Sequence, residues 1–152
     1  MIRINKTGKR GKYNNAHTGT FTPTHPEKFK GRYRPIYKSA LELKFMRYCD
    51  RNPSIVLWDY EGLHIKYLDK SEKPEKVRNY HIDFVIYAKS GNDIKKIWVE
   101  IKQSSEVRKP VNESDSRTIK TWVKNQCKWK QAATTARMNG ADFKVITEEQ
   151  LG

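Results

Sequence analysis

The stretch Tyr80–Lys102, YHIDFVIYAKSGNDIKKIWVEIK, constrains this chain more than any other. Two runs rich in β-branched and aromatic residues flank Ser90-Gly91-Asn92-Asp93, which signals a tight β-hairpin. With Gly91 and Asn92 as the loop, Ser90 pairs with Asp93. Counting outward then sets Phe84 opposite Val99 and Asp83 opposite Glu100. This register stacks Ile82, Phe84 and Ile86 against Ile97, Val99 and Ile101 on one face. A slip of one residue would scatter that apolar set, so the turn and the hydrophobic pattern select the same pairing. The other face carries Asp83, Glu100 and Lys102 together.

Two carboxylates directly opposite on paired strands have Cβ atoms ~5 Å apart and repel one another. A divalent cation removes the repulsion, and hard oxygen ligands suit magnesium or manganese. Lys102 lies two residues beyond Glu100 on the same face, roughly 7 Å along the strand. An ammonium there can position a water and stabilise a developing phosphorane charge. A lone Glu-x-Lys would be an ordinary half-exposed strand face. The opposed Asp83, the register and the basic chain favour a metal-dependent site.

An Asp on one strand and Glu-x-Lys on the next resembles the PD-(D/E)xK nuclease superfamily. The resemblance implies Asp83 and Glu100 as metal ligands and Lys102 as the catalytic lysine. The residue before Asp83 is Ile82 where that pattern has proline, a position that shapes the strand and supplies no chemistry.

A chain of 152 residues is expected to form one domain. Its 31 Lys+Arg against 17 Asp+Glu leave a net charge of +14, which favours a polyanionic partner, nucleic acid or an anionic membrane. No apolar run approaches the ~18 residues that a membrane span needs, and the basic start is not followed by a secretory apolar segment. Cys49 and Cys127 read as free thiols, and the four scattered histidines show no zinc-ligand spacing.

Much of the charge sits at the start. Residues 1–25 read as a basic flexible arm and residues 26–152 as the folded domain. Arg3, Lys6, Lys9, Arg10 and Lys12 are candidate phosphate contacts; a solubilising tail is the alternative. Phe21, Phe29, Tyr33 and Tyr37 suit packing on the body or stacking on bases, packing being favoured.

Ser39-Ala40-Leu41-Glu42 fits a helix capping box, and Leu41, Phe45, Tyr48 and Cys49 make the helix's apolar face. Glu42 falls at the edge of that face, either as the cap or as a third carboxylate. Strands are expected at 55–60 and 63–68, joined at Glu61-Gly62, then loops over 69–79 and 103–115. A helix from near Ser116 to Asn139 carries a stripe of Ile119, Trp122, Gln126, Trp129, Ala133 and Ala136. Lys120, Lys124 and Lys128 form a separate row, a solvated face or a DNA-contacting ridge. A last strand at 142–146 should lie parallel to the second hairpin strand through a right-handed crossover, and Thr147–Gln150 should start a terminal helix.

This order suits an α/β domain with a mixed central sheet flanked by helices, and it resembles the restriction-endonuclease-like core. Residues 37–45, Asp50-Arg51-Asn52-Pro53, Trp58, residues 125–133, residues 143–151 and Phe29-Lys30-Gly31 are similar to the head completion nucleases of tailed phages. The endonuclease subunit of some bacterial transposons has a similar start. The resemblance implies Glu42 as a further metal ligand and Gln126 as a site-supporting residue. It implies a magnesium- or manganese-dependent endodeoxyribonuclease that acts on DNA at the packaged head. Head or portal proteins are the further candidate partners, and the host cytoplasm or the virion the place of action. A non-catalytic DNA-binding head component keeping a nuclease fold is the alternative. An RNA-binding module lacks any fitting aromatic or GXXG pattern.

Overall fold

The computed structural model describes residues 18–111 and 115–152. In chain order these form β1 (Gly19–Thr20), a 3-10 turn (Pro26–Lys28), β2 (Ile36–Tyr37), α1 (Ala40–Arg51), β3 (Ile55–Asp69), β4 (Lys76–Ser90) and β5 (Asp93–Ile101). There follow α2 (Ser104–Val107), α3 (Ser116–Met138), β6 (Ala141–Ile146) and α4 (Glu148–Leu151). The main sheet runs β3-β4-β5-β6. Its first three strands are antiparallel, and β6 returns parallel to β5 with Glu100 beside Val145. On one face α1 packs Leu41, Phe45, Met46 and Cys49 against Trp58, Phe84, Ile86, Val99 and Ile101. On the other, α3 packs Trp129, Ala132 and Ala136 against Tyr80, Ile82, Val85 and Trp98. This is the α/β, restriction-endonuclease-like architecture expected from the element order.

The central hairpin has the expected register, with Ser90 beside Asp93 and Phe84 beside Val99. Gly91 takes φ 64°, a left-handed turn conformation that costs glycine little. The ladder ends at Phe84–Val99, so Asp83 and Glu100 are not ladder partners. The expected single apolar face is also interrupted. Tyr80 and Ile82 point to the α3 side, whereas Phe84 and Ile86 point to the α1 side. The cause lies on the neighbouring strand. Glu61-Gly62 is not a turn between two strands: β3 is one strand of 15 residues, and its pairing with β4 shifts by one between Tyr60–Phe84 and Leu63–Ile82. Two residues of β3 therefore oppose the single Asp83, which is a β-bulge, and a bulge sharpens local twist.

Other expectations shift for similar packing reasons. Pairing of β3 with β4 continues to Asp69–Lys76, so the loop expected over 69–79 shrinks to a short turn. That turn is organised by the fully buried Asp69, which accepts from Ser71 N and from Arg78 Nε. On α1, Met46 is buried while Tyr48 is 45% exposed. On α3 the buried positions are Asn125, Trp129, Ala132 and Ala136, a stripe rotated from the expected one. The loop after β5 contains α2, whose Ser104 donates through N and Oγ to the Glu148 carboxylate at the start of α4. The terminal cap forms as expected, with Thr147 N donating to Gln150 Oε1.

Residues 18–25, expected as part of the arm of residues 1–25, are packed on the body: β1 pairs with β2, and Phe21 is buried with its ring 6.1 Å from that of Trp58. Asp50, buried at the end of α1, accepts from Thr24 N at 2.9 Å and His25 N at 2.8 Å. Lys30 N donates to Trp58 O, which covers the outer edge of β3. Arg3, Lys6, Lys9, Arg10 and Lys12 lie outside the described residues.

Asp50→Ala should leave those two amides without their acceptor and lower stability by about 1–3 kcal/mol. Urea melts measure the loss, and limited trypsin digestion should cut faster after Lys28 and Lys30. Unchanged melts and digestion would show that the 18–30 segment is held by its other contacts, Phe21, Phe29 and the β1–β2 and Lys30–Trp58 backbone bonds, without need of Asp50.

Candidate active site

The β3 bulge sets the chemistry of the sheet's end. Where β4 and β5 part, the Asp83 side chain replaces a ladder bond: its Oδ2 accepts from Ile101 N at 2.8 Å. Glu100, on the last turn of the β5 ladder, is buried at 6% exposure. Its Oε2 accepts from the Tyr80 hydroxyl, and its Oε1 lies 3.9 Å from Lys102 Nζ. Lys102 follows the end of β5, and its backbone N donates to Ile146 O. The parallel strand β6 thus fixes where the lysine leaves the sheet.

Glu42 approaches from the first turn of α1. Ser39 Oγ accepts from Glu42 N at 3.0 Å, the forward half of a capping box. The return bond runs to Lys38 N rather than to Ser39, at 2.8 Å from Glu42 Oε1. The same oxygen accepts from the Tyr60 hydroxyl at 2.9 Å. Capping and site roles therefore do not compete: the carboxylate that closes the helix end also faces the sheet, and its charge is felt at both Asp83 and Glu100.

Burial raises Asp83 above the ordinary carboxylate range, and the Glu100 charge raises it further, against the Ile101 N–H and Lys102. Burial also raises Glu100, opposed by the Tyr80 hydrogen bond, Lys102 and Lys128. The Tyr60 and Tyr80 hydroxyls are pushed far up, by burial first and by their carboxylate partners after it. Both stay protonated donors. Among the described residues no three His, Cys, Asp or Glu side chains converge closely enough to hold a metal ion as they stand. Each of the three carboxylates accepts from its own donor, which offsets part of the repulsion among them. The donor set itself, buried Glu100 and half-buried Asp83 with Glu42 near them and all oxygen, fits a hard divalent cation.

Residues 52–148 match the family described as TnsA-like endonuclease N terminal. The head completion nuclease of Enterobacteria phage T4 is 32% identical over 146 residues, covering 90% of this chain and 94% of that protein. The chain belongs to the TnsA-like endonuclease family.

Within this TnsA-like domain the family match spans Asp83, Glu100 and Lys102 and begins after Glu42. The α3 lysines do not act as one ridge. Lys120 Nζ pairs with Glu72 at 3.0 Å, and Lys124 Nζ lies 3.8 Å from Asp69. Those two fasten α3 over the β3–β4 turn. Lys128 is different: its ammonium lies 5.4 Å from the centre of the Tyr80 ring. Among the described residues it makes no ion pair within 4.0 Å. Burial lowers its pKa, against the pull of Glu100 and Asp83. Gln126, expected beside the site, instead lines a surface groove with Leu68, Cys127 and Lys130. The neighbouring Asn125 is the buried amide. The rotated stripe of α3 accounts for the exchange.

Sequence reasoning missed Tyr60 and Tyr80 and placed Lys128 on the wrong surface. Tyr80 reaches Glu100 from the α3 side only because β4 changes face at the bulge. Lys128 had a usable signal, since it follows Asn125 by three positions and precedes Trp129, both buried.

A carboxyl whose folded-state pKa is raised takes stability away above its unfolded pKa. That penalty shrinks as pH falls through ~4 and vanishes below ~3, where both states are protonated. In metal-free buffer the protein should therefore lose stability as pH rises from about 4 through the neutral range. Asp83→Asn keeps an acceptor for Ile101 N and removes the charge. It should raise stability at about pH 8 by on the order of 1 kcal/mol, seen as a higher melting temperature, and change little near pH 4. A variant destabilised at both pH values would point to a structural carboxylate instead.

Proposed function

We propose that this protein is a divalent-metal-dependent DNA endonuclease that acts in phage head completion after DNA packaging. The observation that carries the reading is half-buried Asp83 and buried Glu100 at one end of the sheet beside Lys102, with desolvation raising both carboxyls. Such a pair destabilises the metal-free fold, and a bound cation gives it a use. Family membership and the relationship to the T4 head completion nuclease support the same reading. The net charge of +14 suits DNA as substrate.

Asp83, Glu100 and Glu42 would hold magnesium or manganese, which when bound supplies Lewis acidity and lowers the pKa of a water. Tyr80 and Tyr60 hold the Glu100 and Glu42 carboxylates in place by donating to them, as outer partners do around metal ligands. Lys102, held near Glu100, orients the attacking water and stabilises charge on the phosphate oxygens. Lys128 presents a second ammonium from α3, on the far side of Tyr80. Head or portal proteins would bring the enzyme to the packaged head, in the host cytoplasm during assembly or in the virion. Among the described residues no helix is long and apolar enough to cross a membrane.

The direct test is purified protein on supercoiled, linear and branched DNA with magnesium, manganese or chelator. Cleavage should need the cation. Lys102→Ala should depress cleavage by roughly 100-fold or more, the scale of one lost transition-state stabiliser, with DNA affinity changing only modestly. Lys128→Met should lower cleavage in the same direction, and Lys128→Arg should restore part of it. Glu42→Gln keeps an acceptor for Tyr60 and Lys38, so it should lose cleavage and little stability. A parent that binds DNA but never cuts it with either cation would make the protein a DNA-binding head component that retains a nuclease fold.

A further inference from the structure

A cleft of about 710 Å³ opens between the 29–38 segment and the β3 bulge, and its lining residues Lys38 and Tyr60 reach the Glu42 carboxylate behind it. We infer, building on the nuclease reading, that this cleft holds one unpaired DNA strand leading into the carboxylate site. The preferred substrate then carries a single-stranded or branched element.

Four observations support this. The first is charge. Lys30, Arg32, Arg34 and Lys38 line the cleft and face only Asp59 and Glu61. Glu61 is already paired with Lys38 at 2.8 Å, and Asp59 Oδ1 accepts from Tyr60 N. Arg32 and Arg34 make no ion pair among the described residues, which leaves two guanidinium groups for phosphates.

The second is an aromatic platform. Tyr33 is 79% exposed, with the Arg32 guanidinium 6.0 Å from its ring centre. An exposed ring flanked by arginines stacks an unpaired base, whereas bases within a duplex hide their faces. The third is size. A volume on this scale is that of a small-molecule pocket, room for roughly one or two nucleotides inside the cleft.

The fourth is position. Tyr60 and Lys38 both line the cleft, and both donate to Glu42 Oε1. A strand lying there runs directly toward Glu42 and, across the bulge, toward Asp83. The wall on that side is held in an unusual shape. Glu61 takes φ 52°, a left-handed conformation that non-glycine residues rarely adopt. A Cβ on Gly62 would sit 2.1 Å from Asp59 Oδ2.

The test uses the full chain in chelator, so that binding is read without cleavage. Fluorescence anisotropy with labelled oligo(dT) and with blunt duplex of equal length compares the parent with Tyr33→Ala and with Arg32→Gln/Arg34→Gln. Tyr33→Ala should weaken oligo(dT) binding about tenfold, the loss of one stacked base, and leave duplex binding within about twofold. The double variant should lower the salt slope of oligo(dT) binding by about 0.7 for each lost contact. With magnesium, the parent should cut forked DNA faster than blunt duplex, and Tyr33→Ala should lose that preference. Equal losses on both DNAs, or no loss with Tyr33→Ala, would overturn the single-strand cleft. A parent that cuts nothing while keeping Tyr33-dependent oligo(dT) binding would overturn the nuclease reading and sustain the cleft. Tyr33 is exposed, and matching thermal melts confirm that the variants are folded.

Discussion

The repulsion between Asp83 and Glu100 is the constraint around which this end of the sheet is built. Two carboxylates brought together in a buried setting must be protonated, bonded to donors or neutralised by a cation. The fold supplies donors from three directions. The Ile101 amide reaches Asp83, the Tyr80 hydroxyl reaches Glu100, and Lys102 stands beside Glu100. These contacts offset part of the cost and leave both carboxyls raised.

The β3 bulge makes this arrangement possible. By placing Glu61 and Gly62 opposite Asp83, it turns β4 so that one half of the strand packs under α1 and the other under α3. Side chains from both layers then reach the carboxylates at this end of the sheet. Glu42 and Tyr60 arrive from the α1 side, and Tyr80 and Lys128 from the α3 side. Without the bulge, a regular strand would keep Tyr80 and Phe84 on the same face, and Tyr80 could not reach Glu100 while Phe84 packed on Phe45. The same bulge forms one wall of the basic cleft. The basic cleft and the carboxylate cluster therefore depend on one irregularity.

The charge on α3 shows how position decides role. Three lysines four residues apart look equivalent on the helix surface. Glu72 and Asp69 take the first two for holding the helix to the β3–β4 turn. The third passes beyond that turn and meets an aromatic ring and the carboxylate pair instead. Asp50 shows the same logic in the body, where one buried carboxylate ties the 18–25 segment to α1.

By itself the sequence determined the local geometry. The turn at Ser90–Asp93, the alternation beyond it, the cap at Ser39 and the crossover to β6 all follow from short-range rules, in which neighbours along the chain or across one turn supply the energy. Those rules were enough to bring Asp83, Glu100 and Lys102 to one end of the hairpin and to aim Glu42 at the sheet. The tertiary structure decided what depends on distant partners. Glu61-Gly62 reads locally as a turn and becomes a bulge because both halves of β3 find β4. Gln126 reads locally as part of a buried stripe and faces outward because the sheet selects the Asn125 side of α3. Tyr60, Tyr80 and Lys128 join the site through contacts between separate layers, and no spacing along the chain encodes which layer a strand faces after a bulge.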